Sequence, residues 1–169
     1  MNLILCVIIV VVCTAIGRVF AARMTERLSF FREYQISFTQ LTDRMVGINL
    51  ELYQALKACQ PECLKGLLAS CASDLKKMPQ AGFPQIWQIN LDRCQTSFSS
   101  LSKADWRILQ EGGSAIEALC MNPSEKQAGI YLKRLSGYTA ELETEKLKKC
   151  KLYNTTGVLA GLMIALLVI

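Results

Sequence analysis

Residues 28–55 read LSFFREYQISFTQLTDRMVGINLELYQA, and the apolar residues of this stretch recur with a helical period. Two rows with seven-residue spacing lie three positions apart, which places them side by side on one face of a long helix. Because polar residues fill the other faces, the stretch predicts a helix that buries one apolar stripe in a bundle, with a kink or break at Gly47. The two rows are Phe31, Phe38, Met45 and Leu52, and Tyr34, Leu41, Ile48 and Ala55.

The rest of the central region also has helical patterning, and no part of it predicts a convincing strand. Ser102-Lys103-Ala104-Asp105 is typical of a capping box at a helix start, because Asp stands at the third helical position. Gly112-Gly113 predicts the end of that helix, and a short helix follows over Ala115–Cys120. Ser124 and Glu125 predict the start of a last helix that continues into the C-terminal segment. The sequence therefore predicts an all-α fold, an antiparallel bundle of about six helices.

Both ends of the chain are strongly apolar. Residues 1–22 contain one charge, Arg18, and residues 152–169 contain none. A helix of about 20 residues crosses the roughly 30 Å hydrocarbon core of a bilayer. We therefore predict an N-terminal transmembrane helix over 1–22, a helical-bundle domain over 23–151 and a C-terminal transmembrane helix over 152–169, with membrane lipids as partners.

The net charge of +5 is concentrated beside the two apolar ends. Between Leu28 and Glu145, acidic residues outnumber basic residues by one. Because positive residues flank transmembrane helices on the cytoplasmic side, this arrangement predicts a cytoplasmic central domain. A nucleic-acid-binding domain would have a basic face, so we expect no nucleic acid partner. The flanking basic residues are Arg18, Arg23 and Arg27 after the first end, and Lys146, Lys148, Lys149 and Lys151 before the second.

The composition excludes several kinds of chemistry. The chain has no histidine, which excludes histidine general bases and metal sites that need an imidazole. It also lacks the Gly-x-x-x-x-Gly-Lys-Ser/Thr loop that binds nucleotide phosphates and the Cys-x-x-Cys pair typical of zinc sites. We therefore expect a protein that is not an enzyme, with no catalytic residues, no cofactor and no metal.

The cysteines leave two interpretations open. An even number in the central region suits three disulfides in an exported, lipid-anchored surface binding protein, whose signal peptide would be cut after Ala21. Against this alternative, the N-terminus has no basic region, and Arg18 stands where a cleavage site is uncharged. Several cysteines also occupy apolar faces of the predicted helices, which favours reduced thiols and retained membrane anchors. The six central cysteines are Cys59, Cys63, Cys71, Cys94, Cys120 and Cys150.

A glycine pair in the C-terminal segment predicts close helix packing. Gly157 and Gly161 stand four residues apart, a spacing that lets two membrane helices approach closely. The partner helix is either the first span, where Gly17 and Ala21 have the same spacing, or a helix of another chain. A homo-oligomer is one form that the second arrangement would take.

Residues 151–162 read KLYNTTGVLAGL and closely resemble the C-terminal end of stage III sporulation protein AB, a family with a Gly-Val-Leu-x-Gly-Leu pattern there. The order of Asp105, Leu109 and Gly112-Gly113, followed by Ser124-Glu125-Lys126-Gln127, is similar to a second conserved track of that family. Glu125 stands where the family usually has Asp. The resemblance covers essentially the whole chain and implies a cytoplasmic helical domain between two membrane helices.

The resemblance also implies a function. Proteins of this family are similar in their cytoplasmic domain to the F-type platform protein of type II secretion systems. They belong to the feeding-tube channel that links mother cell and forespore during endospore formation. A protein of this kind would be a scaffold in the mother-cell membrane around the forespore. Its partners would be a secretion-type ATPase and the other channel subunits of the sporulation operon.

A partner-binding surface is expected at the helix turns furthest in sequence from both apolar ends. Long helices that leave a membrane would place those turns about 30–40 Å away from it. Capping and solvation are the alternative roles for polar residues in such turns. The residues predicted to bind the partner are Asp105, Glu111, Ser124, Glu125 and Gln127.

Overall fold

The computed structural model describes residues 2–59, 61, 64–96, 98 and 100–168. Within these ranges the chain is all-helical, and none of the residues forms a strand. The predicted all-α fold of six helices is therefore confirmed for this part of the chain. The helices are α1 (Asn2–Thr42), α2 (Leu52–Ala58), α3 (Lys65–Lys77), α4 (Phe83–Cys94), α5 (Lys103–Met121) and α6 (Glu125–Val168), with a π-helical turn at Asp43–Gly47 after α1.

The described chain divides into two compact units. Residues 2–29 and 140–168 form the first, which we call the helix-pair unit because it consists of parts of α1 and α6. Phe30–Thr139 forms the second, which we call the bundle unit and which contains parts of all six helices. The predicted boundaries after residues 22 and 151 separate transmembrane helices from the central domain, and they stay predictions.

The apolar stripe of α1 fills the core of the bundle unit. Its aromatic members Phe31, Tyr34 and Phe38 are buried, and the rings of Phe31 and Phe38 contact those of Tyr138 and Tyr131 on α6. The stripe continues to Met45, which is buried in the π-helical turn at Asp43–Gly47, and the continuous helix ends at Gly47. The break predicted at Gly47 is therefore confirmed.

Ile48 departs from the predicted stripe. The helix has already ended when the chain reaches this residue, so Ile48 no longer points toward the core and is exposed. The next residue, Asn49, has a φ of 55°, in the left-handed region that Asn adopts more easily than most residues, and the helical path is interrupted there.

Helix α5 begins as predicted but does not end as predicted. The capping box is present, because the backbone N–H of Asp105 donates to Ser102 Oγ and the Ser102 N–H donates to Asp105 Oδ2. The helix then runs through Gly112-Gly113 to Met121, so the predicted end and the separate helix over Ala115–Cys120 were both wrong.

Gly112 and Gly113 occur within α5 because side chains of other helices pack closely against the α5 backbone at these two positions. Both are buried, and a Cβ on Gly113 would lie 2.8 Å from Cδ1 of Trp87, while a Cβ on Gly112 would collide with the Tyr34 hydroxyl. Trp87 is fixed in this position by a 2.7 Å hydrogen bond from its Nε1 to the carbonyl oxygen of Leu109. Close packing explains the glycine pair, and no helix end is needed.

A buried polar contact joins α3 to α4. The carboxylate of Asp74 accepts hydrogen bonds from Asn90 Nδ2 at 3.1 Å and from Arg93 Nη1 at 2.8 Å. Asn90 also donates to the carbonyl oxygen of Ile86 within its own helix. The one acidic side chain of α3 therefore faces α4.

Among the residues whose side chains the structure describes, no helix combines the length and the apolar character that a membrane crossing needs. The spans predicted over 1–22 and 152–169 include side chains outside that set, namely those of residues 1–6, 9, 154 and 165–169.

Candidate functional site

Asp105 is an internal structural residue in the bundle unit. Its side chain is 0% exposed, and besides the capping box it accepts a 2.7 Å hydrogen bond from the Tyr138 hydroxyl of α6. These contacts use both carboxylate oxygens. The prediction that Asp105 contacts a partner therefore needs correction, because its carboxylate is enclosed between α5 and α6.

Glu111 lies near the middle of α5, on the side that faces α6. Its Oε2 is 2.8 Å from Nη1 of Arg134, and both side chains remain partly exposed. Exposed ion pairs of this kind contribute little to stability, typically below about 1 kcal/mol. The Glu111 side chain is accessible to a partner protein, although it already forms an ion pair with Arg134 of the same chain.

The remaining predicted residues lie at the start of α6. Ser124 caps this helix, since the backbone N–H of Gln127 donates to its Oγ at 3.4 Å, and the Gln127 side chain is exposed. The side chain of Glu125 lies outside the described residues.

The direction of the helices separates Asp105 from Ser124. Along α1, Phe31 contacts Tyr138 and Phe38 contacts Tyr131, so α1 and α6 run antiparallel. Helix α5 is also antiparallel to α6, because its first turn meets Tyr138 and the Tyr131 hydroxyl donates to the carbonyl oxygen of Ile108. The 19 residues of α5 span about 27 Å. The five predicted residues are therefore spread along this helix pair and do not form one cluster.

The end of the bundle unit opposite Phe30 and Thr139 has exposed apolar side chains. The π-helical turn after α1 contacts α5 there, and the α5–α6 turn lies at the same end. Ile48 is 69% exposed and Met121 79% exposed, the two highest values among the large apolar side chains that the structure describes in the bundle unit. We name this the turn surface, and it consists of Ile48, Met121, Ser124 and Gln127.

The sequence patterns predict the polar half of the turn surface but not its apolar half. The seven-residue spacing places Ile48 in the buried stripe, and Met121 directly follows the short helix predicted over Ala115–Cys120, so neither residue is predicted to be exposed. The signal available in the sequence is the position of each apolar residue directly before an asparagine that follows a helix, Asn49 and Asn122.

The predicted glycine pair lies against α1 within the helix-pair unit. A Cβ on Gly157 would be 3.0 Å from the carbonyl oxygen of Cys13, and one on Gly161 would be 2.9 Å from Cα of Val10. On the α1 side, a Cβ on Gly17 would be 2.7 Å from the Tyr153 carbonyl oxygen. Small residues on both helices let their backbones approach, as the spacing predicts for a partner within the same chain.

The described cysteines are free thiols. Cys59 and Cys71 are buried, Cys94 and Cys150 are partly buried, and Cys120 is exposed. Burial raises the pKa of the Cys71 thiol to about 12, so this thiol is unreactive at neutral pH. The exported alternative needed three disulfides, and the cysteines that the structure describes form none. Cys63 lies outside the described residues.

The buried polar groups of the bundle unit serve packing. The Tyr34 and Tyr131 hydroxyls lie 3.0 Å apart, and burial raises the pKa of both. Among the described residues, no three acidic or cysteine side chains are grouped to hold a metal ion.

These observations define a class. In the part of the chain that the structure describes, this is an all-helical protein with a partly apolar turn surface and a pair of helices packed through glycines. Within that class, the chain belongs to the stage III sporulation protein AB family, whose family model matches residues 2–169. The family assigns the chain a role in sporulation. No curated protein and no solved structure matches the chain.

Proposed function

We propose that this protein is a membrane-anchored assembly scaffold of the mother cell–forespore channel, and that its bundle unit engages a secretion-type ATPase. The anchor is proposed from the outer faces of the helix-pair unit. Large apolar side chains are exposed there, and contiguous apolar surface of this extent is unfavourable in water. The exposed residues include Val7, Ile8, Val11, Val12, Ile16, Val19, Leu159, Leu162, Met163 and Ile164.

The charges beside the anchors support a cytoplasmic bundle unit. Basic residues follow the first apolar segment and precede the second, which is the arrangement of cytoplasmic flanks. Within the helix-pair unit, Arg27 and Lys149 both pair with Glu145. Residues 23–151 would then lie on the mother-cell side of the membrane around the forespore.

The turn surface is the observation that carries the docking proposal. It combines two exposed apolar side chains, Ile48 and Met121, with the polar groups of Ser124 and Gln127. Protein interfaces have this composition, an apolar centre that loses its water and a polar rim. Methionine is also suited to such contacts because its flexible side chain adapts to the partner. The ATPase as the partner comes from the resemblance to secretion platforms, which is an analogy of fold.

A binding assay between the purified full chain in detergent and the cognate ATPase tests this proposal. The variant Ile48→Glu with Met121→Glu should weaken binding at least about tenfold, because apolar anchors at interface centres contribute about 1–2 kcal/mol or more each. Ile36→Glu is the matched control, since Ile36 is comparably exposed on α1 but lies about three helical turns before Gly47. Native affinity of the double variant, with an unchanged unfolding midpoint, would contradict the proposal.

A further inference from the structure

The bundle unit has a groove between α2 and α3, with a volume of about 420 Å³. The two helices are in contact, and Leu56 of α2 and Ala72 of α3 are buried in the floor of the groove. Ala69 lies one helical turn before Ser73 along its α3 side. Because Ala69, Ala72 and Ser73 are small, the space beside Leu56 remains open.

The rim of the groove is basic. Three ammonium groups line it, one from Lys57 at the end of α2 and two from Lys76 and Lys77 at the end of α3. None of the described residues that line the groove is acidic. Asp74, the acidic residue of α3, is directed toward Asn90 and Arg93 of α4.

Lys76 of the basic rim contacts Tyr53 of α2, so its role differs from that of a lysine that only stabilises the C-terminus of its own helix. Lysines in a last turn stabilise the terminal carbonyl groups of their own helix. Lys76 instead reaches a different helix, where its Nζ lies 4.2 Å from the centroid of the Tyr53 ring. A hydrogen bond from this ammonium group and its positive charge lower the pKa of Tyr53. The lysine is thus held beside the groove by a cation–π contact.

We propose that the α2–α3 groove binds an acidic segment of a partner protein. Carboxylates of the segment lie against Lys57, Lys76 and Lys77, and an apolar side chain of the segment packs on Leu56 and Ala72. Charge complementarity selects the partner, and the limited volume admits a few side chains of one segment. The groove shares no residue with the turn surface, so this proposal stands independently of ATPase docking.

The test uses the purified full chain in neutral detergent and a fluorescein-labelled peptide of repeated Glu-Leu-Glu-Glu units. Fluorescence anisotropy measures the affinity. The variant Lys57→Gln, Lys76→Gln, Lys77→Gln should weaken binding about tenfold or more, since three carboxylate–ammonium contacts are lost. The matched control replaces three exposed lysines of the bundle unit elsewhere, Lys103, Lys126 and Lys133, by Gln, and should stay within about twofold.

A second variant separates the groove from general attraction by positive charge. Ala69→Trp fills the groove without changing a charge, and because Ala69 is exposed the substitution is compatible with the fold. We expect it to weaken peptide binding, whereas attraction by charge alone would leave the affinity unchanged and overturn the proposal.

Other outcomes would also overturn it. One is the absence of peptide binding by the native protein, and another is an equal loss in the lysine control. A third is groove-dependent binding of short-chain phosphatidylglycerol without groove-dependent binding of the peptide, which would make this a lipid headgroup site.

Discussion

The hydroxyl of Tyr138 donates a 2.7 Å hydrogen bond to Oδ1 of Asp105, and this contact fastens the first turn of α5 to α6. The other carboxylate oxygen accepts from the Ser102 backbone N–H. One buried side chain therefore completes a helix cap and joins two helices of the bundle unit.

Replacing Asp105 by Ala should lower the free energy of unfolding by about 2 kcal/mol or more. The substitution removes the cap and takes one hydrogen-bond acceptor away from each of the part-buried Tyr138 hydroxyl and Ser102 N–H groups. The measurement is the denaturant midpoint of the full chain in detergent, followed by circular dichroism. Asp92→Ala is the control, because Asp92 is exposed and its carboxylate accepts a hydrogen bond from Gln88 of its own helix. A loss in Asp105→Ala no larger than in this control would contradict the structural role.

A second prediction concerns the glycines of α5 and α6. Gly113→Ala should destabilise the protein by about 1–3 kcal/mol, because its Cβ would press on the fixed ring of Trp87. Gly129→Ala should stabilise it by about 0.5–1 kcal/mol, since no atom lies within 4 Å of a Cβ at that helical position. Thermal unfolding of both variants gives the comparison. If Gly113→Ala left the midpoint unchanged or raised it, the close packing at Gly113 would be refuted.

The different roles of these glycines show how far the sequence alone could lead. The stripe of α1 and the capping box at Ser102 were predictable, because both depend on residues three to seven positions apart on one helix. The roles of Gly112-Gly113 were not predictable in this way. They depend on Trp87 and Tyr34, which are distant in sequence and reach α5 only in the folded bundle unit.

In the candidate site too, features that depend on neighbouring residues of one helix were predictable, and features that depend on residues distant in sequence were not. The polar residues at the start of α6 follow from local capping rules, and Ser124 does cap this helix. The burial of Asp105 and the exposure of Ile48 and Met121 depend on the place where α1 ends and on the neighbour that α6 provides. A periodic pattern continues through a helix end without signalling it, so the pattern alone places Ile48 in the core.

The contact of Asp74 with Asn90 and Arg93 predicts an acid-dependent loss of stability. The hydrogen bond from Asn90 lowers the pKa of Asp74 below its ordinary value of 3.8, and Arg93 adds to this effect. A carboxyl group with a lowered folded-state pKa stabilises the fold at pH values above its unfolded-state pKa. That stabilisation is lost as the pH falls through the folded-state pKa.

We therefore expect the stability difference between the native protein and Asp74→Asn to be constant near neutral pH and to shrink as the pH falls below about 4. Thermal midpoints measured from pH 7 to pH 3 give this difference. A difference for Asp74→Asn that grows on acidification would contradict the contact.

The glycine packing of the helix-pair unit predicts a specific disulfide. A Cβ on Gly161 would lie 3.3 Å from the Cβ of Cys13, near the Cβ–Cβ separation of disulfides at about 3.5–4.5 Å. In a chain whose other cysteines are replaced by Ser, Gly161→Cys should form a bond with Cys13 on oxidation. Proteolysis of the bundle unit followed by non-reducing electrophoresis would show the two helices linked. Leu162→Cys, at the next and exposed position, is the matched control and should remain unlinked.

The most direct test of the proposed scaffold is the side of the membrane on which the bundle unit lies. Cys120 suits this test because its side chain is exposed in the bundle unit. A chain that keeps only this one of its eight cysteines is expressed in vegetative cells, which have no forespore and in which the plasma membrane is the membrane tested, and protoplasts are treated with a membrane-impermeant maleimide. We predict labelling of Cys120 only after the protoplasts are permeabilised. Labelling in intact protoplasts would place the bundle unit outside the cell and contradict the account.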